Sequence, residues 1–200
     1  MIAVARTHTK VGISAGVAWC LIGTASSACR RPMSLLPIGS TLSLSDWNWL
    51  LPRDNQDYAW DCAACSTAWA LRTIGFEVTE QDVIAGLGPA RISPTYGLLD
   101  ASGAGLVSYL AEMGVTAENN GAATWSDVLA ASGYQPMVIG GRAWCHWVGV
   151  RMGTTAVGRM GPEEIALMNP ADGYMGVHQV LNAEAFAQLG PFSAVWLTAW

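Results

Sequence analysis

Gln56-Asp57-Tyr58-Ala59-Trp60-Asp61-Cys62-Ala63-Ala64-Cys65, continued by Ser66 to Gly75, is the stretch around which the rest of the chain is organised. Asp61 is placed to N-cap a helix that opens at Cys62 and stops at Gly75. A thiol at a helix N-terminus meets unpaired backbone N–H groups and the positive end of the helix dipole, and both favour the thiolate. Gln56 lies six residues upstream, before the helix, where its amide is able to fold back beside that sulfur. An activated thiol with an oxyanion donor nearby is the local arrangement a cysteine nucleophile needs. What remains to be found is a base and a group that orients it.

Composition narrows the field. The 200 residues are 52% hydrophobic and only 12% charged, with 10 Trp and 22 Gly, which is the profile of one compact globular domain rather than a disordered chain. The net charge is −5 and no basic cluster occurs, which argues against a nucleic-acid partner and against an anionic membrane surface. No apolar run approaches the roughly 20 residues of a transmembrane span. The 5 cysteines (Cys20, Cys29, Cys62, Cys65 and Cys145) are odd in number and lack the spacing of a small disulfide scaffold.

The first residues have the order of an export signal. Arg6 and Lys10 precede an apolar run from Val11 to Gly23, and the small residues Thr24 to Ala28 follow. The competing reading starts translation at Met33 and makes residues 1–32 a spurious extension. The chain is then exported if 1–28 is a signal, and cytoplasmic otherwise. Either way the domain is expected to span 33–200. Ser34 to Pro52 reads as an irregular lead-in carrying Trp47 and Trp49.

From Asp61 the pattern is helical, with Ala64, Cys65, Ala68, Trp69 and Leu71 mostly on one face. Cys65, one turn after Cys62, reads as a core residue. Thr79 starts a second helix through Ala85 by a capping box with Asp82. Gly86 to Tyr96 reads as a loop, Leu98 to Met113 as a third helix, Val115 to Ala117 as a short strand, and Trp125 to Ala131 as a fourth helix capped by Thr124. The character then changes. Pro136–Gly140, Ala143–Met152, Glu164–Met168 and Ser193–Ala199 read as strands, with a hairpin connection at Gly153–Met160 and a small helix at Asn182–Leu189. A helical half followed by an antiparallel sheet means α+β.

Three histidines are present, His8, His146 and His178. His8 falls in the signal-like segment, and His178 reads as a surface strand residue. His146 opens the strand His146-Trp147-Val148-Gly149-Val150, and the next strand ends at Asn169-Pro170. Two antiparallel neighbours would carry His146 and Asn169 to adjacent positions on one edge, where the amide holds the imidazole. Asp172 is a weaker candidate for that role. Alternation puts Cys145 on the face opposite His146.

Together these residues resemble the papain-like cysteine peptidases, most of all the C39 and C39-like group: Gln56 six before Cys62, Asp61-Cys62, His146 before an apolar strand, then Asn169-Pro170. The resemblance covers roughly Gln56 to Trp200. It implies a papain-like fold, an N-terminal helical half packed against a C-terminal antiparallel sheet, with a cleft between them. It implies Cys62 as nucleophile, His146 as base and acid, Asn169 as orienter and Gln56 as oxyanion donor. The Cys62 sulfur is then expected roughly within 4 Å of an imidazole nitrogen. The implied substrate is a peptide, with Trp60, Trp144 and Trp147 as candidate walls of the cleft, and no metal or cofactor is called for. Ala63 stands where the family has Gly, so a methyl would approach the substrate backbone. Asn169 stands where the C39 pattern usually has Asp. No transporter domain follows, so the exporter role of the best-known C39 members is not expected to carry over.

Three other classes compete. A papain-like module without activity would bind peptide only. Cys62, Cys65, Cys145 and His146 form a nominal Cys₃His zinc set, against which Cys145 and His146 face opposite ways on a strand. A thioredoxin-type pair at Cys62 and Cys65 lacks a clear preceding strand.

Overall fold

The computed structural model describes residues 41–43, 55–132, 135–141, 145–150, 164–171 and 177–200. Residues 1–32, Trp47, Trp49, Trp144, Gly153–Met160 and Asp172 lie outside these, as do the expectations placed on them. In chain order the elements are β1 (Thr41–Ser43), α1 (Cys62–Thr73), α2 (Glu80–Leu87), β2 (Ile92–Ser93), β3 (Gly97–Leu98), α3 (Ala104–Glu112), β4 (Thr116–Ala123), α4 (Trp125–Ser132), β5 (Met137–Gly141), β6 (His146–Val150), β7 (Glu164–Met168), β8 (Val177–Asn182), α5 (Ala183–Leu189) and β9 (Phe192–Ala199).

The fold is α+β. Among the described residues seven strands form one sheet in the order β1-β8-β7-β6-β5-β9-β4, antiparallel throughout. Alternation along the strands sends side chains to two apolar layers. Val138, Trp147, Met168, Val195 and Leu197 pack with α1, α2 and α3. Met137, Ile139, Val148, Val150, Ile165 and Leu167 pack on the other face with residues of α4 and α5.

The central helix is α1, in which every residue from Cys62 to Leu71 is buried. Its small residues Ala63, Ala64, Ala68 and Ala70 are good helix formers and let neighbours approach closely. Ser66 Oγ donates to the Trp147 carbonyl at 3.2 Å, fastening the helix to β6. One turn further on, the Trp69 ring lies where Gly149 has no side chain; a Cβ there would sit 2.4 Å from the ring. Only glycine admits the indole at that distance, so α1 and β6 are fixed in register.

The structure corrects several boundaries. The lead-in contains β1, which pairs β8 at a sheet edge and is recruited by tertiary pairing rather than local pattern. The loop expected over Gly86–Tyr96 starts two residues later and holds β2, which pairs β3 in a small hairpin. The third helix begins only at Ala104, because Gly103 is left-handed (φ 84) and its N–H turns back to Asp100. The strand near Val115 runs on to Ala123 as β4, polar because it is an edge strand whose described neighbour is β9. Thr79 and Asp82 do form the capping box, and Asn182 caps α5.

Candidate active site

Asp61 occupies the N-cap position of α1, yet its side chain makes no capping bond. Oδ2 accepts instead from the Tyr58 N–H at 3.0 Å, so the carboxylate shapes the segment before the helix. Asp61 is fully buried, and burial raises its carboxyl; hydrogen bonds to Glu80 and Tyr58 oppose that shift and the charge of Asp57 adds to it.

Cys62 follows with a free thiol, 8% exposed. Burial pushes that thiol up to about 12, against the pull of the Trp147 and Ala63 backbone N–H groups. The helix start was expected to favour the thiolate, and here desolvation outweighs the dipole. The Trp147 N–H that reaches the sulfur belongs to the residue directly after His146, so the helix start abuts the start of β6.

His146 is 5% exposed and its Nε2 lies 2.9 Å from Asn169 Oδ1. Oδ1 also accepts from the Ala171 N–H at 3.1 Å, which fixes the amide so that its oxygen faces the ring. Nε2 therefore carries the proton of the neutral imidazole, and Nδ1 is the basic nitrogen. Burial pulls the imidazole down to about 4, with the Asn169 bond working the other way. The pairing of β6 with β7, Gly149 opposite Met168, brings the two residues together as the strand order predicted.

Gln56 is tied to the Asn169-Pro170 turn. Its backbone N–H donates to the Pro170 carbonyl at 3.0 Å. Its side-chain Nε2 donates to the Tyr58 carbonyl, while Oε1 is buried and has no hydrogen-bond partner among the described residues. The amide was expected to lean toward the sulfur; in this conformation its donor is engaged by the preceding loop.

A cavity of about 120 Å³ opens beside Cys62, walled by Trp60, Trp147, Tyr96, Leu98 and Cys145. Trp60 and Trp147 thus both border the cavity beside Cys62. Tyr96 and Leu98 come from the β2–β3 hairpin and its turn, where the sequence pattern suggests a loop up to Tyr96 and a helix from Leu98. The signal was Pro94-Thr95-Tyr96-Gly97, a tight turn: Gly97 is left-handed (φ 69), and a Cβ there would lie 2.7 Å from the Trp60 carbonyl. Cys145 is a second departure. It stands just before β6 with φ 53, so strand alternation does not apply to it, and it lines the same cavity as Cys62. Ala63 is fully buried in the α1 core and is not among the residues that line the cavity. Cys65 is fully buried as well. Among the described residues no three His, Cys, Asp or Glu side chains gather as metal ligands.

No protein-family profile and no curated protein matches the sequence. Among solved structures, the chain is similar to a crystal structure of a double-glycine motif protease from an AMS/PCAT transporter in complex with the leader peptide. The identity is 16% and the TM-score 0.55, over 74% of this chain and 92% of that one. The likeness is one of fold: this chain shares the α+β architecture of that protease, and α+β is the class the residue pattern implied. No helix among the described residues is long and apolar enough to cross a membrane.

Proposed function

We propose that this domain is a cysteine peptidase acting on an amide bond of a peptide. Cys62 attacks the carbonyl, His146 takes the thiol proton at Nδ1 and returns it to the leaving amine, and Asn169 holds the ring. The Cys62 backbone N–H and the Gln56 amide receive the oxyanion. The observation that carries this reading is the buried His146–Asn169 bond at 2.9 Å, at the start of the strand against which the α1 N-terminus is packed. A solvated histidine would need no such partner.

With Cys62 and His146 both pushed toward their neutral forms, the pair rests uncharged, and proton transfer accompanies attack. A bound carbonyl placing its oxygen on the backbone donors supplies the negative-charge stabilisation that the free thiol lacks. Gln56 joins by releasing the Tyr58 carbonyl.

A second reading, a peptide-binding module without turnover, draws on the same burial: a thiol raised to about 12 is a poor nucleophile alone. The two separate on one experiment. A peptide bearing a thiol-directed electrophile should label Cys62 at neutral pH, with mass mapping excluding Cys65 and Cys145. Loss of that label in His146→Ala supports the peptidase. An unlabelled Cys62 in folded protein leaves only the binding module.

A further inference from the structure

We propose that Cys145 is a resolving thiol for Cys62, and that oxidation joins the two in a reversible disulfide that shuts the site. The inference rests on the reading of Cys62 as the nucleophile activated by His146. Its observations are separate. Cys62 and Cys145 are both thiols, and both face one cavity of about 120 Å³. A cavity of that size admits a peroxide molecule, since about 10–15 Å³ of such space is enough to hold a water.

The backbone explains why a residue beside a strand turns toward this cavity. Cys145 has φ 53, a left-handed conformation that a side chain other than Gly, Asn or Asp rarely adopts. Its N–H donates to the Gly141 carbonyl at 2.8 Å, which anchors the residue where the β5–β6 connection re-enters the sheet. In ordinary extended geometry the side chain would follow strand alternation instead. Strained backbone of this kind gathers at functional sites, because the surrounding structure must hold it.

Cys65 is the competing partner, three residues along the same helix. It is fully buried and does not line the cavity, whereas Cys145 is half-buried and does. An oxidant entering beside Cys62 therefore meets Cys145 first.

The chemistry balances with hydrogen peroxide as oxidant. His146 takes the Cys62 proton; the sulfur attacks one peroxide oxygen and the O–O bond breaks. This gives a sulfenic acid and hydroxide, which recovers the proton from the imidazolium as water. The Cys145 sulfur then attacks the sulfenic sulfur, the S–O bond breaks, and the thiol proton leaves with the hydroxyl as a second water. Peroxide gains two electrons, one sulfur–sulfur bond forms, and a dithiol restores both thiols. In the joined state the nucleophile is consumed and its cavity is spanned. Without a resolving partner, the sulfenic acid advances to the irreversible sulfinic form.

The test uses the full chain and hydrogen peroxide. After treatment and alkylation without reductant, tryptic cleavage at Arg53, Arg72, Arg142 and Arg151 puts Cys62 and Cys65 on one peptide and Cys145 on another. The expected product is a peptide pair linked through Cys62 and Cys145, assigned by fragmentation and still formed in Cys65→Ser. Labelling of Cys62 by the peptide electrophile should be lost with peroxide and regained with dithiothreitol. In Cys145→Ser it should be lost and not regained, with Cys62 found as sulfinic acid. A link from Cys62 to Cys65, a link to Cys20 or Cys29, or sulfinic Cys62 beside reduced Cys145 in the parent chain would each overturn the proposal, as would a Cys62 that peroxide leaves unchanged. Linkage is read by mass and not by hydrolysis. An electrophile that labels Cys62 while no link forms retires this inference alone.

Discussion

The backbone N–H of Gln56 donates to the carbonyl of Pro170 at 3.0 Å, so the segment entering α1 is tied to the turn leaving β7. The residue before Pro170 is Asn169, which holds the His146 ring. One short turn therefore positions both the proposed base and the proposed oxyanion donor. A shift of that turn moves them together.

Asn169→Ala should lower kcat by about 10²-fold or more with little change in KM, because the ring loses its orientation and substrate contacts are kept. Asn169→Asp should retain most turnover and move the acidic limb of the pH profile upward, since a carboxylate stabilises imidazolium. Steady-state kinetics across pH read both. Unaltered kinetics in the alanine variant would make the bond purely structural.

Gln56→Ala should lower turnover by about 10²–10³-fold if its amide receives the developing charge. Thermal unfolding should shift little, because the backbone bond to Pro170 is independent of the side chain. Full turnover in this variant would take Gln56 out of the site.

Stability should fall on the acid side through His146. Its folded value of about 4 lies below the ordinary 6.5, so the unfolded chain binds the proton first as pH drops. The contribution is intact above pH 6.5 and is lost as pH falls through about 4. It amounts to roughly 3 kcal/mol at 1.36 kcal/mol per unit. Urea unfolding at pH 7 and pH 4.5 should show this loss in the parent chain and a smaller one in His146→Gln.

Gly97→Ala should destabilise the chain by about 1–2 kcal/mol, the cost of a left-handed alanine, and more if the Trp60 carbonyl cannot yield. Because the hairpin walls the cleft, KM should rise beyond what the lost stability explains. Peptide kinetics and urea midpoints on one preparation separate the two effects; a change in stability without a change in KM would free the hairpin of any substrate role.

Much of this was legible in the residues. The helix opening at Cys62, the strand Glu164–Met168 and the approach of His146 to Asn169 rest on local pattern and nearest-neighbour pairing, which a sequence displays directly. What was not legible depends on the third dimension. Desolvation of Cys62 is set by strands far along the chain, so a thiolate expected from the helix start becomes a neutral thiol. The reach of Cys145 into the cavity turns on a single φ of 53 that no periodicity announces. The Asp61 side chain satisfies Tyr58 rather than the helix because the segment before α1 turns back to bring the Tyr58 N–H within 3.0 Å of its carboxylate. Strand β1, three residues long, exists only because β8 offers it an edge.

The unbroken burial of α1 from Cys62 to Leu71 governs how the molecule would fail. A helix with no solvent face cannot fray on its own; opening it means parting it from α2 and from β6 at once, which is the global transition. Its amides should accordingly be among the last to exchange with deuterium. The proposed nucleophile, Cys62, mounted on such an element, has no partially melted yet folded state in which to lose its alignment. Heat would then extinguish catalysis and tertiary structure in a single step, and recovery on cooling would restore both together.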